Sequence, residues 1–500
     1  MIPFSQIRER GYQARCDGEK ILCLKVSEQE RLEFEELLRQ LPDTKISLSD
    51  GPSFNLSRKE YGDLVSRIIA EAIGRGEGAN FVLPRACRGK IDQFSPVVAL
   101  SLFKAFASND YGSYWKFIFY SGEKYFVGAT PERHLQVRGR KVRMNPISGT
   151  FRKTQEDQSV VDFRDNLVQF LHDKKEIFEL FMVVDEELKM MAKICDQGGM
   201  VVGPLVKEMS KLLHTEYLLS GVSDHDIIDM LRDSMFAATV TGSPLENACR
   251  IIYEYDKESR GYYGGALALI GRDAEGNDTL DSPIAIRMFE LDSDGSFVLR
   301  VGATLVKDSD PEGEARETEA KASAALAALS ETAREQSASY LSILENDDEV
   351  LEALQQRNQF LSKFWFFLQE PEEDELPKEF QSLSLTIVDN EDEFSLMMRH
   401  MFARMGISVK IVSNKFFNLS DDKSDIIIIG PGPGDPNDDH DHRVARAREL
   451  TEELLRTKRK FLSVCLGHQI LCRVLNFKVA RKNSPFQGQQ EKIDLFGKQE

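Results

Sequence analysis

Apolar and polar positions along the chain change rhythm twice. Up to residue 335, short runs rich in β-branched and aromatic residues (114–120, 125–129, 266–270, 284–289 and 297–301) stand between longer stretches with helical spacing. Strands separated this way, mostly by turns, predict a large α+β domain. Residues 336–382 are helical in pattern and end in an acidic run between Pro371 and Pro377, which reads as a linker. From 383 onward, SLTIVDN, ISVKIVS, DIIIIGPGPGDP and KFLSVCLGHQIL alternate buried parallel-type strands with helical segments such as 443–457. That is the rhythm of a doubly wound α/β domain. The expected boundaries are therefore 1–335, 336–382 and 383–500.

Composition narrows the function classes. With 500 residues and 41% hydrophobic content, the chain can build more than one core. Acidic residues outnumber basic ones by 82 to 64, a net charge of -18, which argues against a general grip on nucleic acid or anionic lipid. A small anionic substrate would need a local cation. No apolar stretch approaches the roughly 20 residues of a membrane span, and the start, MIPFSQIRERG, lacks a leader pattern, so a cytoplasmic location is expected. Seven cysteines without a CxxC pair argue against a disulfide framework and a zinc site.

Two carboxylate pairs carry the first hint of chemistry. Glu176 and Glu179 stand three apart in KKEIFELFMVV, and Glu314 and Glu317 repeat that spacing in DPEGEARETEAKA. Three-residue spacing places both members of a pair on one helical face. Such pairs are usually solvated surface; two facing helices of this kind could instead clamp a magnesium ion, which takes oxygen ligands and keeps several waters.

The surrounding wording resembles the chorismate-utilising synthases. GATPERHL, NPISGT, KKEIFE, TVTGSPLENACRII, RGYYGGALAL, IAIRMFE and DSDPEGEARETEAKA occur in that order across about 300 residues. The resemblance implies a magnesium-dependent enzyme that adds a nucleophile at C2 of chorismate while the C4 hydroxyl departs. Glu176, Glu179, Glu314 and Glu317 then become the metal ligands and Glu132 the general acid, a role that suits a carboxyl whose pKa is raised by burial. Arg287 and Lys321 match cationic grips on the substrate's carboxylates; Gly149, Thr150, Thr239, Tyr263 and Gly302 match pocket-lining positions. His214 aligns with a histidine near the departing group. Without the resemblance, Arg287 would read as a strand-borne ion pair, and Tyr263 and His214 as core residues.

Departures from the family wording separate the subfamilies. Where water-using members carry a lysine base, ANFVLPR has Asn80, placed by the resemblance beside the substrate. An amide cannot deprotonate water, so Asn80 favours ammonia. Leu180, Leu245, Thr304 and the DEELKMMAKICDQGG helix also differ, and with the fused second domain they resemble the phenazine-pathway enzymes that stop at 2-amino-2-deoxyisochorismate.

Residues 383–500 resemble the first half of a class I glutamine amidotransferase. Cys465, in SVCLGHQ, is the implied nucleophile at a strand-to-helix turn where a thiolate is favoured and exposed. Gly432 and Gly434 of GPGPGDP, with Leu466 and Gln469, are the implied oxyanion and glutamine residues. The only histidine after Cys465 is His468, inside the nucleophile motif, so a truncated domain that leaves the chain dependent on free ammonia is expected. The expected partners are chorismate and ammonia or glutamine, and a homodimer is one assembly open to the chain. Two other readings stay open: an anthranilate synthase that goes on to expel pyruvate, and an inactive chorismate- or partner-binding protein.

Overall fold

The computed structural model describes residues 1–153, 159–195, 199–210, 212–330, 347–358, 380, 382–481, 494–495 and 498–499. Two antiparallel sheets make up the first domain. In one, the strands run in the order Leu48–Phe54, Asn80–Ile91, Ser296–Leu305, Met288–Asp292, Lys124–Thr130, Trp115–Tyr120, with Gly242–Ser243 paired to the start of Asn80–Ile91. In the other, they run Leu269–Arg272, Asp278–Pro283, Arg133–Arg138, Lys141–Met144, Leu212–Val222, Ile147–Arg152, with Gly199–Glu208 also on Leu212–Val222.

Alternation along the central strands decides which face does what, because successive side chains point to opposite sides. Phe81, Leu83, Leu299, Ala303 and Leu305 pack under the helices Arg58–Glu71, Pro96–Asn109 and Pro311–Leu326. Val82, Arg300, Gly302 and Thr304 occupy the other face and line a cleft. The second sheet buries Leu135, Val137, Val142 and Leu219 against Leu180, Phe181, Val184 and Leu188 of the long helix Lys174–Ile194.

The chain passes between the sheets twice near this cleft. Pro131–Glu132 joins Lys124–Thr130 to Arg133–Arg138, and 284–287 joins Asp278–Pro283 to Met288–Asp292. The apolar run 284–289 is therefore not the strand its composition predicts. Its first four residues make the crossover, and Arg287 takes the left-handed φ of +52° there. Within 266–270, only Leu269 onward joins a strand; Ala266 makes isolated bridges to Ile2 and Ile284.

In the second domain four parallel strands run Ser408–Ser413, Ser384–Asp389, Ile426–Ile429, Phe461–Ser463. The helices Phe394–Arg404, His442–Thr457 and Leu466–Val474 complete the doubly wound pattern. This domain docks on the Lys174–Ile194 helix: Lys189 Nζ lies 2.9 Å from Asp392, and Lys193 Nζ 3.1 Å from Glu393. Most of the 336–382 linker lies outside the described residues; Asp348–Arg357 within it is a helix. Among the described residues, no helix is long and apolar enough to cross a membrane.

Candidate functional site

The cleft lies where the two crossovers meet the even-numbered face of the first sheet, and it is lined by apolar walls with a few convergent charged groups. Glu132, Gly149, Thr150, Glu179, His214, Thr239, Tyr263, Arg287, Gly302 and Lys321 all line it. Ten positions spread over nearly 200 residues thus converge on one site.

At one end stands Glu132, 3% exposed on the first crossover, beside Thr239 and facing the Ile147 N–H at 3.4 Å. Burial pushes its carboxyl up to about 8, against the weaker pull of its hydrogen bonds, Lys207 and Arg287. It is therefore protonated near neutral pH and able to give a proton away.

In the middle, the His214 Nδ1–H donates to the Gly149 carbonyl at 2.6 Å, so Nε2 is left to accept from Arg287 Nη2 at 2.7 Å. Burial, reinforced by the Arg287 charge, drives His214 down to about 3. The imidazole is neutral in this arrangement and holds the guanidinium in place; it does not supply a proton. Lys321 spans the Gly302 carbonyl at 2.9 Å and Glu317 at 2.7 Å. Gly302 is required by close approach: a Cβ there would stand 2.5 Å from the Tyr263 hydroxyl.

Of the four paired glutamates only Glu179 lines the cleft; Glu176 and Glu314 share Lys175 with it, and Glu317 pairs with Lys321. Asp173 caps the Lys174–Ile194 helix by accepting from the Lys175 and Glu176 N–H groups, which sets Glu176 and Glu179 on the first turns. Asp310 does the same for Pro311–Leu326, which carries Glu314 and Glu317. The Ser148 hydroxyl donates to Glu179 at 2.7 Å, and the Thr150 hydroxyl to Glu317 at 3.3 Å. Gly149 has φ +72°, and a Cβ on it would meet Glu176 Oε2 at 2.7 Å.

Burial raises Glu176 to about 8 and Glu314 to about 7, while Lys321 and Lys175 overcome burial and hold Glu317 down at about 2. The Lys175 ammonium lies 2.6 Å from Glu179, 3.2 Å from Glu176 and 3.7 Å from Glu314.

Among the described residues, no three His, Cys, Asp or Glu side chains are disposed to hold one ion as they stand. The donor set nonetheless fits a hard cation. Glu176 Oε2 and Glu314 Oε2 are buried without a hydrogen-bond partner, and Glu179 Oε2 has only the Lys175 charge beside it, with no well-angled donor. Neither Lys175 nor Ser148 stands out in the sequence. Lys175 precedes Glu179 by four residues, a helical ion-pair spacing that could have flagged it.

Asn80 does not line the cleft. Its backbone pairs with Ser243, its side chain is fully buried, and neither amide atom has a hydrogen-bond partner.

In the second domain, Cys465 sits at the strand-to-helix turn with φ +52° and ψ -113° and is exposed. The expected favoured thiolate is corrected. Surrounding protein and then the Asp392 charge raise its pKa, and the Leu466 N–H opposes them only in part. His468 faces Cys472 Sγ at 3.6 Å, one helical turn along. The Gly434 N–H is not available to an oxyanion, because it donates to the Gly76 carbonyl of the first domain at 3.1 Å. Gly432 precedes it in the same loop, and Gln469 is on the Leu466–Val474 helix with its N–H on the Cys465 carbonyl.

Comparisons with known proteins agree with this geometry. Residues 12–327 match the chorismate binding enzyme family, and residues 386–500 match the class-I glutamine amidotransferases. The chain is 41% identical over 501 residues to the phenazine-specific anthranilate synthase of Pseudomonas chlororaphis, spanning 99% of this chain and 76% of the relative. It is also 41% identical to that of Pseudomonas fluorescens, over 100% of this chain and 76% of the relative. The menaquinone-specific isochorismate synthase of Escherichia coli shares the fold with a TM-score of 0.50 and 23% identity, over 58% of this chain and 64% of that one. The chain belongs to the chorismate binding enzymes and carries a class-I glutamine amidotransferase segment fused behind the chorismate-binding domain.

Proposed function

We propose that this chain aminates chorismate at C2 to give 2-amino-2-deoxyisochorismate, with ammonia as the attacking species and magnesium as cofactor. The observation that supports it best is the polarity of the cleft. A protonated, buried Glu132 lines the cleft, as do Glu179 and the Arg287 and Lys321 cations, and Glu176, Glu314 and Glu317 stand beside Glu179 and Lys321. A dicarboxylate laid across the cleft would bring one carboxylate to Arg287 and Lys321 and present its hydroxyl to Glu132.

Glu176, Glu179, Glu314 and Glu317 would hold the magnesium ion, which when bound offsets the charge of a substrate carboxylate against their own. The nitrogen lone pair forms the C2–N bond, the ring double bonds shift, and the C4–O bond breaks. The hydroxyl leaves as water with the proton of Glu132, whose carboxylate recovers the proton that the new amine gives up. His214 keeps Arg287 aimed by accepting its N–H.

The names of the relatives favour a second reading, in which the aminated product goes on to lose pyruvate and yields anthranilate. Chorismate consumption in ammonium buffer tests both together. Turnover should need magnesium and stop with excess chelator; full turnover in EDTA would remove the metal from the account.

A further inference from the structure

Arg357 belongs to the stretch between the two matched families, 12–327 and 386–500, yet its side chain ends inside the first domain, 1% exposed. Its Nε–H donates to the Leu171 carbonyl at 2.9 Å and an Nη2–H to the Phe170 carbonyl at 3.3 Å. Both carbonyls lie in the last turn of the Val160–His172 helix, where the Phe170 carbonyl also accepts from the Asp173 N–H at 3.2 Å. An Nη1–H reaches the Thr215 hydroxyl at 3.4 Å. Burying a guanidinium is costly unless acceptors surround it, and here they come from the Val160–His172 helix and from the Leu212–Val222 strand, whose His214 lines the cleft.

From those acceptors the connections run straight to the carboxylates. Thr215 donates to the Ser148 carbonyl at 2.8 Å, and Ser148 donates to Glu179 at 2.7 Å. The carbonyls of 170 and 171 end the helix just before Asp173, the cap that orders the first turn carrying Glu176. The rest of the Asp348–Arg357 helix is anchored as firmly. Val350 and Ala353 pack with Phe163, Leu167, Leu171 and Leu213, and Asn358 donates to the Gly203 carbonyl at 2.7 Å while accepting from the Tyr217 hydroxyl at 2.9 Å.

We infer that Arg357 is a positioning residue for the carboxylate end of the cleft, and that the helix bearing it is part of the synthase site as well as a connector between domains. It acts through Thr215 and Ser148 on Glu179, and through the 170–173 turn on Glu176. The catalytic part of the inference rests on the amination reading above; the positioning part does not.

Hydrogen exchange on the full chain, without ligands, reads the positioning directly. In Arg357→Met, amides at 148–150 and 174–179 should exchange at least about tenfold faster than in the parent, while the strands at 384–389 and 426–429 keep parental rates. Arg357→Lys, a milder change should Met prevent folding, should fall between the two. Unchanged exchange at 148–150 and 174–179, or an increase spread evenly over both domains, overturns the inference. In ammonium-driven turnover, kcat should drop about 10- to 100-fold with little change in the KM for ammonia, and added guanidinium should restore part of it in Arg357→Ala. A parent without turnover would refute the amination reading, and the exchange result would still decide the role of Arg357.

Discussion

Replacing Glu132 with Gln keeps the shape of the acid and removes its transferable proton. The gap between its raised value of about 8 and the ordinary 4.5 corresponds to roughly 5 kcal/mol of preference for the neutral form. At pH 7 about nine in ten copies would carry the proton, against fewer than about one in a hundred for an exposed carboxyl. The variant should lose about 10²-fold or more in kcat while chorismate binding stays nearly intact.

Assays at constant free NH3 isolate the acid from the titration of the nucleophile. The parental rate should be flat below pH 8 and fall above it, and Glu132→Gln should lack that limb. The same burial predicts a stability effect of fixed sign: a carboxyl whose folded value is raised costs stability as pH climbs from about 4.5 to about 8. Glu132→Gln should therefore melt at a higher temperature than the parent at pH 8, with little difference at pH 4. A variant with parental kcat and an unmoved pH limb would refute the assignment of the acid.

Three further outcomes follow from the geometry. Lys175→Gln leaves Glu176, Glu179 and Glu314 facing one another without a cation, so the metal-free protein should melt lower, and magnesium should restore it at lower concentration than in the parent; a calorimetric titration checks both. Gly302→Ala drives a methyl against the Tyr263 hydroxyl and should raise the KM for chorismate about tenfold or more, measured by steady-state kinetics. Cys465→Ser should leave ammonium-driven turnover unchanged, because the cleft lies wholly in the first domain; loss of that activity would place Cys465 in the synthase reaction.

Much of the site is legible in the sequence because short local rules build it. Helix caps at Asp173 and Asp310 and three-residue spacing put the glutamates on facing turns. The parallel strands of the second domain show as apolar runs because both of their faces are covered. Tertiary placement decides the rest. The run 284–289 looks like a strand by composition but spends its first four residues crossing between sheets, which is what brings Arg287 to His214. The partner of the Gly434 N–H is a carbonyl more than 350 residues earlier, beyond the reach of any local pattern. Asn80 and Arg357 mislead in opposite ways: a residue placed at the substrate lies behind the wall, and a linker arginine lies beside the site.

The amination claim is tested most directly by incubating the 500-residue chain with chorismate, magnesium and ¹⁵N-ammonium and analysing the product by mass spectrometry. One product is expected, carrying a single ¹⁵N and still holding the enolpyruvyl group, with no release of pyruvate. Fluorescent ¹⁵N-anthranilate with an equal amount of pyruvate would contradict the proposed product, and untouched chorismate would contradict the amination itself.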